Sequence, residues 1–192
     1  MLNKRVDGAH HIQMCVGIVH AHLAFTGGLQ RAQPRGLTPS PSLAHQSLSS
    51  SLHVAIGKAL QETKRRSGGH CQLFSAPTDV FLETGVLIPD LLVVCDPAKL
   101  SERGVEGAPD LVVEILSPST GQKDLTTKRW CYEAAGVPEY LLVYPEERRT
   151  ELLVLGANGI YQTVARVEWG GNLRLLGGKL EITLGEGGES LP

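Results

Sequence analysis

Residues 110–116 read Asp-Leu-Val-Val-Glu-Ile-Leu, an apolar run with an acid at its start and a second, Glu114, in its interior. Twenty residues upstream, Leu87-Ile88-Pro89-Asp90-Leu91-Leu92-Val93-Val94 has the same character, with Asp90 as its lone acid. Runs this short and apolar predict strands that enter a core. A carboxylate buried there is costly unless it is paired, protonated or bound to a cation. One such acid is ordinarily a solvated strand end. Two, in the two most apolar runs of the chain, point to a site. Asp110 and Glu114 lie four apart and share a face, but about 13 Å separates them at ~3.3 Å per residue. One ion cannot take both. The partner of Glu114 must come from a neighbouring strand, and Asp90 is the candidate. Asp110 reads as a strand-entry residue.

On the N-terminal side, Ala44, Leu48, Leu52, Ile56 and Leu60 recur every fourth residue, with Ala55 and Ala59 widening the stripe. Ser42 is placed to cap this helix. Lys64, Arg65 and Arg66 load its last turn, where cations suit the helix dipole, and Gly68-Gly69 ends it. Strands are expected at residues 70–75, 78–83 and 86–94, then a polar connection over 96–108. Downstream, residues 124–135 predict a second helix stopped by Gly136 and Pro138, and 139–144 a core strand. Weaker strands follow at 151–155, 160–167, 172–176 and 180–184. Helix, strands, helix, strands predicts an α/β (α+β) fold: a mixed central sheet flanked by helices.

The chain has 192 residues and a formal net charge of −2, so a uniformly basic nucleic-acid binder is excluded. Residues 1–66 carry +6 and the remainder −8. The early basic helix end could meet a polyanion, although most charges serve only solvation. No apolar run approaches the ~20 residues of a membrane span. Residues 27–42 are rich in Gly, Pro and Ser and read as a loop, so residues 1–35 are expected to form an arm, 36–185 the domain and 186–192 a frayed tail. Lys4 and Arg5 precede a loosely apolar stretch, as in a signal peptide. His20 and His22 interrupt it, and a cytoplasmic location is expected. His10, His11, His20 and His22 form a cluster that follows no metal-ligand spacing. Cys15, Cys71, Cys95 and Cys131 form no CxxC pair and are expected to be buried, reduced thiols.

The second helix supplies a cation. Lys128 pairs with Asp124 at i,i+4 in the plain structural reading. It also lies one turn before Tyr132 and can snorkel toward Glu114. Lys123 is the other candidate.

These segments resemble a known family. Residues 87–94 and 108–119, the series Asp124, Lys128 and Tyr132, the stretch 136–143 and Pro39-Ser-Pro-Ser-Leu-Ala-His45-Gln46 are similar to the Uma-type restriction endonuclease family, formerly a domain of unknown function. That family belongs to the PD-(D/E)XK nuclease superfamily, and the likeness spans roughly residues 36–185. The resemblance implies a restriction-endonuclease-like core, with Asp90 as the aspartate of the PD motif and Glu114 as the acid of (D/E)XK. It implies that the backbone carbonyl of Ile115 also faces a metal, Mg²⁺ or Mn²⁺. Leu116 stands where the motif has lysine, and the resemblance assigns that role to Lys128 on the following helix. Residues 1–35 lack the acidic, tyrosine-containing segment with which the family usually begins. Glu62 or Glu83 could supply an acid in its place.

The expected function is metal-dependent hydrolysis of DNA phosphodiester bonds by Asp90, Glu114 and Lys128, in a homodimer, with Lys64–Arg66 contacting phosphates and His45 and Arg129 as auxiliaries. Two alternatives stand beside it. One is a catalytically silent DNA-binding or assembly protein with the nuclease fold. The other is a metal-independent hydrolase using Asp90 and Glu114 as an acid/base pair. With nine Phe, Tyr and Trp in all, the chain has few aromatics for a sugar groove.

Overall fold

The computed structural model describes residues 41–117 and 121–184, and of 121–125 the backbone alone. The arm, its histidine cluster and the tail lie outside the described residues, as do the side chains of Lys123 and Asp124.

Helix α1, Leu43–Ser67, begins where Ser42 accepts the His45 N–H at 3.2 Å. It ends at Gly68, whose φ of 73° suits a residue without Cβ and whose N–H donates to the Lys64 carbonyl. Leu52 and Ile56 are buried, with Leu48, Ala59 and Leu60 beside them, so the stripe from Leu48 to Leu60 is the packing face, while Ala44 is exposed.

The central sheet has six strands in the order β1 (Gln72–Ser75), β4 (Leu91–Val94), β7 (Leu111–Ile115), β8 (Glu139–Tyr144), β9 (Arg149–Leu155) and β10 (Tyr161–Glu168). It is mixed: β7 and β8 run parallel and every other neighbouring pair is antiparallel. Helix α2, Gly121–Ala135, makes the crossover that a parallel pair requires. Gly136 stops it at φ 79°.

The two faces of the sheet build two cores. Leu91, Val93, Leu111, Val113 and Ile115 pack under α1 and a hairpin of β11 (Asn172–Leu175) and β12 (Leu180–Thr183). Leu92, Val94, Val112, Tyr140 and Leu142 pack under α2, through Cys131 and Tyr132, and under a small second sheet. Burial on both faces explains why the strand sequences are continuously apolar.

Three expectations need correction. Residues 86–94 are two strands, β3 (Gly85–Leu87) and β4, because Pro89 has no N–H to donate and fixes its own φ. The connection 96–108 contains β5 (Leu100–Ser101) and β6 (Gly104–Glu106), which join β3 and β2 (Val80–Leu82) in the order β3-β2-β6-β5. Strands of two and three residues carry too little alternation to be read. The reduced-thiol expectation fails as well. Cys71, just before β1, and Cys95, just after β4, have Cα atoms 3.8 Å apart and form a disulfide; Cys131 is disulfide-bonded too.

Candidate active site

Pairing of β4 with β7 sets Leu91 against Val113, and one further step sets Asp90 against Glu114. The break at Pro89 frees Asp90 from the ladder, and its Oδ2 accepts the Ile115 N–H at 2.7 Å. The first turn of α1 delivers His45 to the same point. Its Nε2 lies 3.2 Å from the Ile115 carbonyl oxygen and 3.4 Å from Asp90 Oδ2.

Glu114 is 5% exposed and projects toward α2. Lys128 Nζ donates to its Oε2 at 2.9 Å, and the Tyr132 hydroxyl to its Oε1 at 2.9 Å. Lys128 and Tyr132 are one helical turn apart, so a single face of α2 grips both carboxylate oxygens. Tyr132 is itself locked, fully buried and edge-on to Tyr140 at 5.2 Å between ring centroids. Burial pushes the Glu114 carboxyl up to about 7, and the nearby Asp90 charge pushes the same way; Lys128 opposes both. The Tyr132 hydroxyl is also pushed up, by burial and then by the Glu114 charge.

Asp90, Glu114, the Ile115 carbonyl and Lys128, four groups expected from the sequence, thus meet at one end of β4 and β7. Among the described residues no three His, Cys, Asp or Glu side chains gather closely enough to hold an ion. The donors nonetheless suit a hard cation. An Asp90 carboxylate oxygen and the Ile115 carbonyl oxygen both lie within 3.4 Å of His45 Nε2, and the Glu114 carboxylate is on the adjacent residue of β7.

Other candidates lie elsewhere. Asp110 accepts the Cys95 N–H at 2.7 Å, as a strand-entry residue should. Arg129 donates to the Tyr161 carbonyl and pairs with Glu133, tying α2 to β10. Glu62 pairs with Arg65 near the far end of α1, about 25 Å from His45 at ~1.5 Å per residue. Glu83 is exposed in the β2–β3 turn. Lys64–Arg66 stand about 28 Å along α1 from His45. The sequence places Tyr132 one turn after Lys128 but gives its hydroxyl no role. Its spacing of four from Lys128 was the available signal that both address the same acceptor.

The solved structures similar to this chain include one described as "a putative nuclease belonging to DUF820" from Anabaena variabilis ATCC 29413. That likeness has a TM-score of 0.59 at 17% identity over 76% of this chain and 80% of that one, and it shows a shared fold. No curated protein matches the chain. Among the described residues no helix is long and apolar enough to cross a membrane. A family model, Uma2, described as "Putative restriction endonuclease", matches residues 35–184, well over half of the sequence. The chain belongs to the Uma2 family of restriction-endonuclease-like proteins.

Proposed function

We propose that the chain is a metal-dependent endonuclease that hydrolyses DNA phosphodiester bonds. The observation that carries this reading is the meeting of Asp90, Glu114 and the Ile115 carbonyl, from two adjoining strands, with an ammonium from the next helix. Asp90, the Ile115 carbonyl and Glu114 would hold Mg²⁺ or Mn²⁺, which when bound supplies Lewis-acid polarisation of the phosphate and a more acidic water. The chain's own groups do the rest. The Ile115 N–H fixes the Asp90 carboxylate. Tyr132 and Lys128 fix the plane of Glu114. Lys128 pulls the Glu114 carboxyl back toward its ionised form, against the effect of burial, and orients the attacking water or offsets charge growing on the phosphorus oxygens. A new P–O bond forms from water and the opposite P–O bond breaks. A homodimer would bring one such site to each strand. Residues 36–185 are the unit that carries this activity.

The silent-binder reading draws on two observations: Leu116 in place of a motif lysine, and a Glu114 whose two oxygens are already engaged. Supercoiled plasmid separates the readings. Conversion to open circle with Mg²⁺ or Mn²⁺, stopped by chelator, supports the endonuclease. A shift in plasmid mobility without cutting supports the silent binder. Cutting that persists in chelator supports the metal-free acid/base pair.

A further inference from the structure

His45 stands at this point of convergence and has no part in the mechanism above. We propose that His45 is a nitrogen ligand of the cation, completing a set with Asp90 and the Ile115 carbonyl and biasing the site toward transition cations such as Mn²⁺ over Mg²⁺. The proposal rests on the metal-dependent reading.

Geometry carries it. Nε2 lies 3.2 Å from the Ile115 oxygen and 3.4 Å from Asp90 Oδ2. Ligands on neighbouring vertices of an octahedron with bonds of ~2.1 Å stand about 3 Å apart. Both separations from Nε2 are therefore within a few tenths of an ångström of what one coordination shell demands. Their chemistry agrees. A carboxylate oxygen, a carbonyl oxygen and a ring nitrogen all bring lone pairs to one place, so a proton or a cation must sit among them. Without metal, the Nε2 proton fills that role as a hydrogen bond to Ile115. With metal, the imidazole proton resides on Nδ1 and the Nε2 lone pair faces the ion.

The placement is built by the fold. The Ser42 cap fixes where α1 starts, and the buried Leu52 and Ile56 fix its rotation over the sheet. His45 is only 15% exposed. A nitrogen in an otherwise oxygen shell raises affinity for later first-row cations relative to Mg²⁺.

The test is electron paramagnetic resonance of the full chain with Mn²⁺. Expected is one bound equivalent, lost in Asp90→Asn, that shows electron spin-echo modulation from a directly bonded ¹⁴N. That modulation should vanish in His45→Gln, with Mn²⁺ still bound about tenfold more weakly. Preference for Mn²⁺ over Mg²⁺ in competition should shrink in the same variant. Wild-type protein grown on ¹⁵N-histidine gives the same readout without a substitution: the ¹⁴N pattern disappears if imidazole is the ligand. Asp90-dependent Mn²⁺ that carries no histidine ¹⁴N modulation overturns the role of His45 and leaves the metal site standing. Absence of any Asp90-dependent Mn²⁺ overturns both.

Discussion

Lys128 Nζ stands 2.9 Å from Glu114 Oε2, joining the middle of α2 to the penultimate residue of β7. Glu114 is buried, while the lysine keeps 21% of its side chain in solvent. Replacing Lys128 by Met would strip the counter-charge from a buried carboxylate. The expected loss is about 2–3 kcal/mol at pH 8, since breaking such a pair is costly but this one is partly solvated. At pH 5 the loss should shrink, because a protonated Glu114 needs no ammonium. Urea denaturation at the two pH values checks this.

Glu114 itself sets a pH dependence. Its folded pKa is raised from 4.5 to about 7, first by burial and then by Asp90, against the pull of Lys128. The folded state therefore binds more protons than the unfolded state between those values, and stability falls as pH rises through that window. The group contributes roughly 3 kcal/mol to this decline. Glu114→Gln removes it, so the variant should gain stability relative to wild type between pH 5 and pH 8 while losing cleavage. Paired denaturation curves at both pH values measure the difference. A parallel shift of the two proteins would show that Glu114 titrates at its ordinary value.

Tyr132→Phe deletes one hydrogen bond to Glu114 and no apolar packing. The expected cost is about 1–2 kcal/mol, in line with hydrogen bonds to charged groups. Plasmid cutting should slow about tenfold, because the carboxylate can then rotate about the Lys128 contact. Urea denaturation and single-turnover cutting read the two effects separately.

The Cys71–Cys95 bridge closes a loop across 24 residues of separation. Chain entropy predicts about 3 kcal/mol of stabilisation, lost on reduction or in Cys71→Ser/Cys95→Ser. Both cysteines are half-buried. Alkylation with and without reductant, read by mass, counts the bridge, and calorimetry of the double variant reads its contribution.

Much of this arrangement was legible in the sequence, and for a definite reason. Asp90 and Glu114 contrast with the most apolar runs in the chain, and that contrast survives without any knowledge of pairing. The helix of 43–67 announced itself through Ser42, its four-residue stripe and Gly68. What stayed hidden depends on long-range register. Cys71 meets Cys95 only because β1 and β4 are antiparallel neighbours, which no cysteine spacing reveals. Glu139 reads as the start of a strand. In the fold it is 6% exposed, and its two oxygens accept the N–H groups of Leu176 and Gly177 at 2.7 Å each, holding the β11–β12 turn. Tyr132 was hidden by its dual character, since an apolar ring conceals what its hydroxyl will find.

The account stands on Asp90 and Glu114 acting together at one cation, and single-turnover plasmid nicking with saturating Mn²⁺ tests that most directly. Asp90→Asn and Glu114→Gln should each slow nicking by about a thousandfold or more while keeping the wild-type circular dichroism, since each would remove a ligand of the catalytic ion. Nicking within about tenfold of wild type in either folded variant would contradict it.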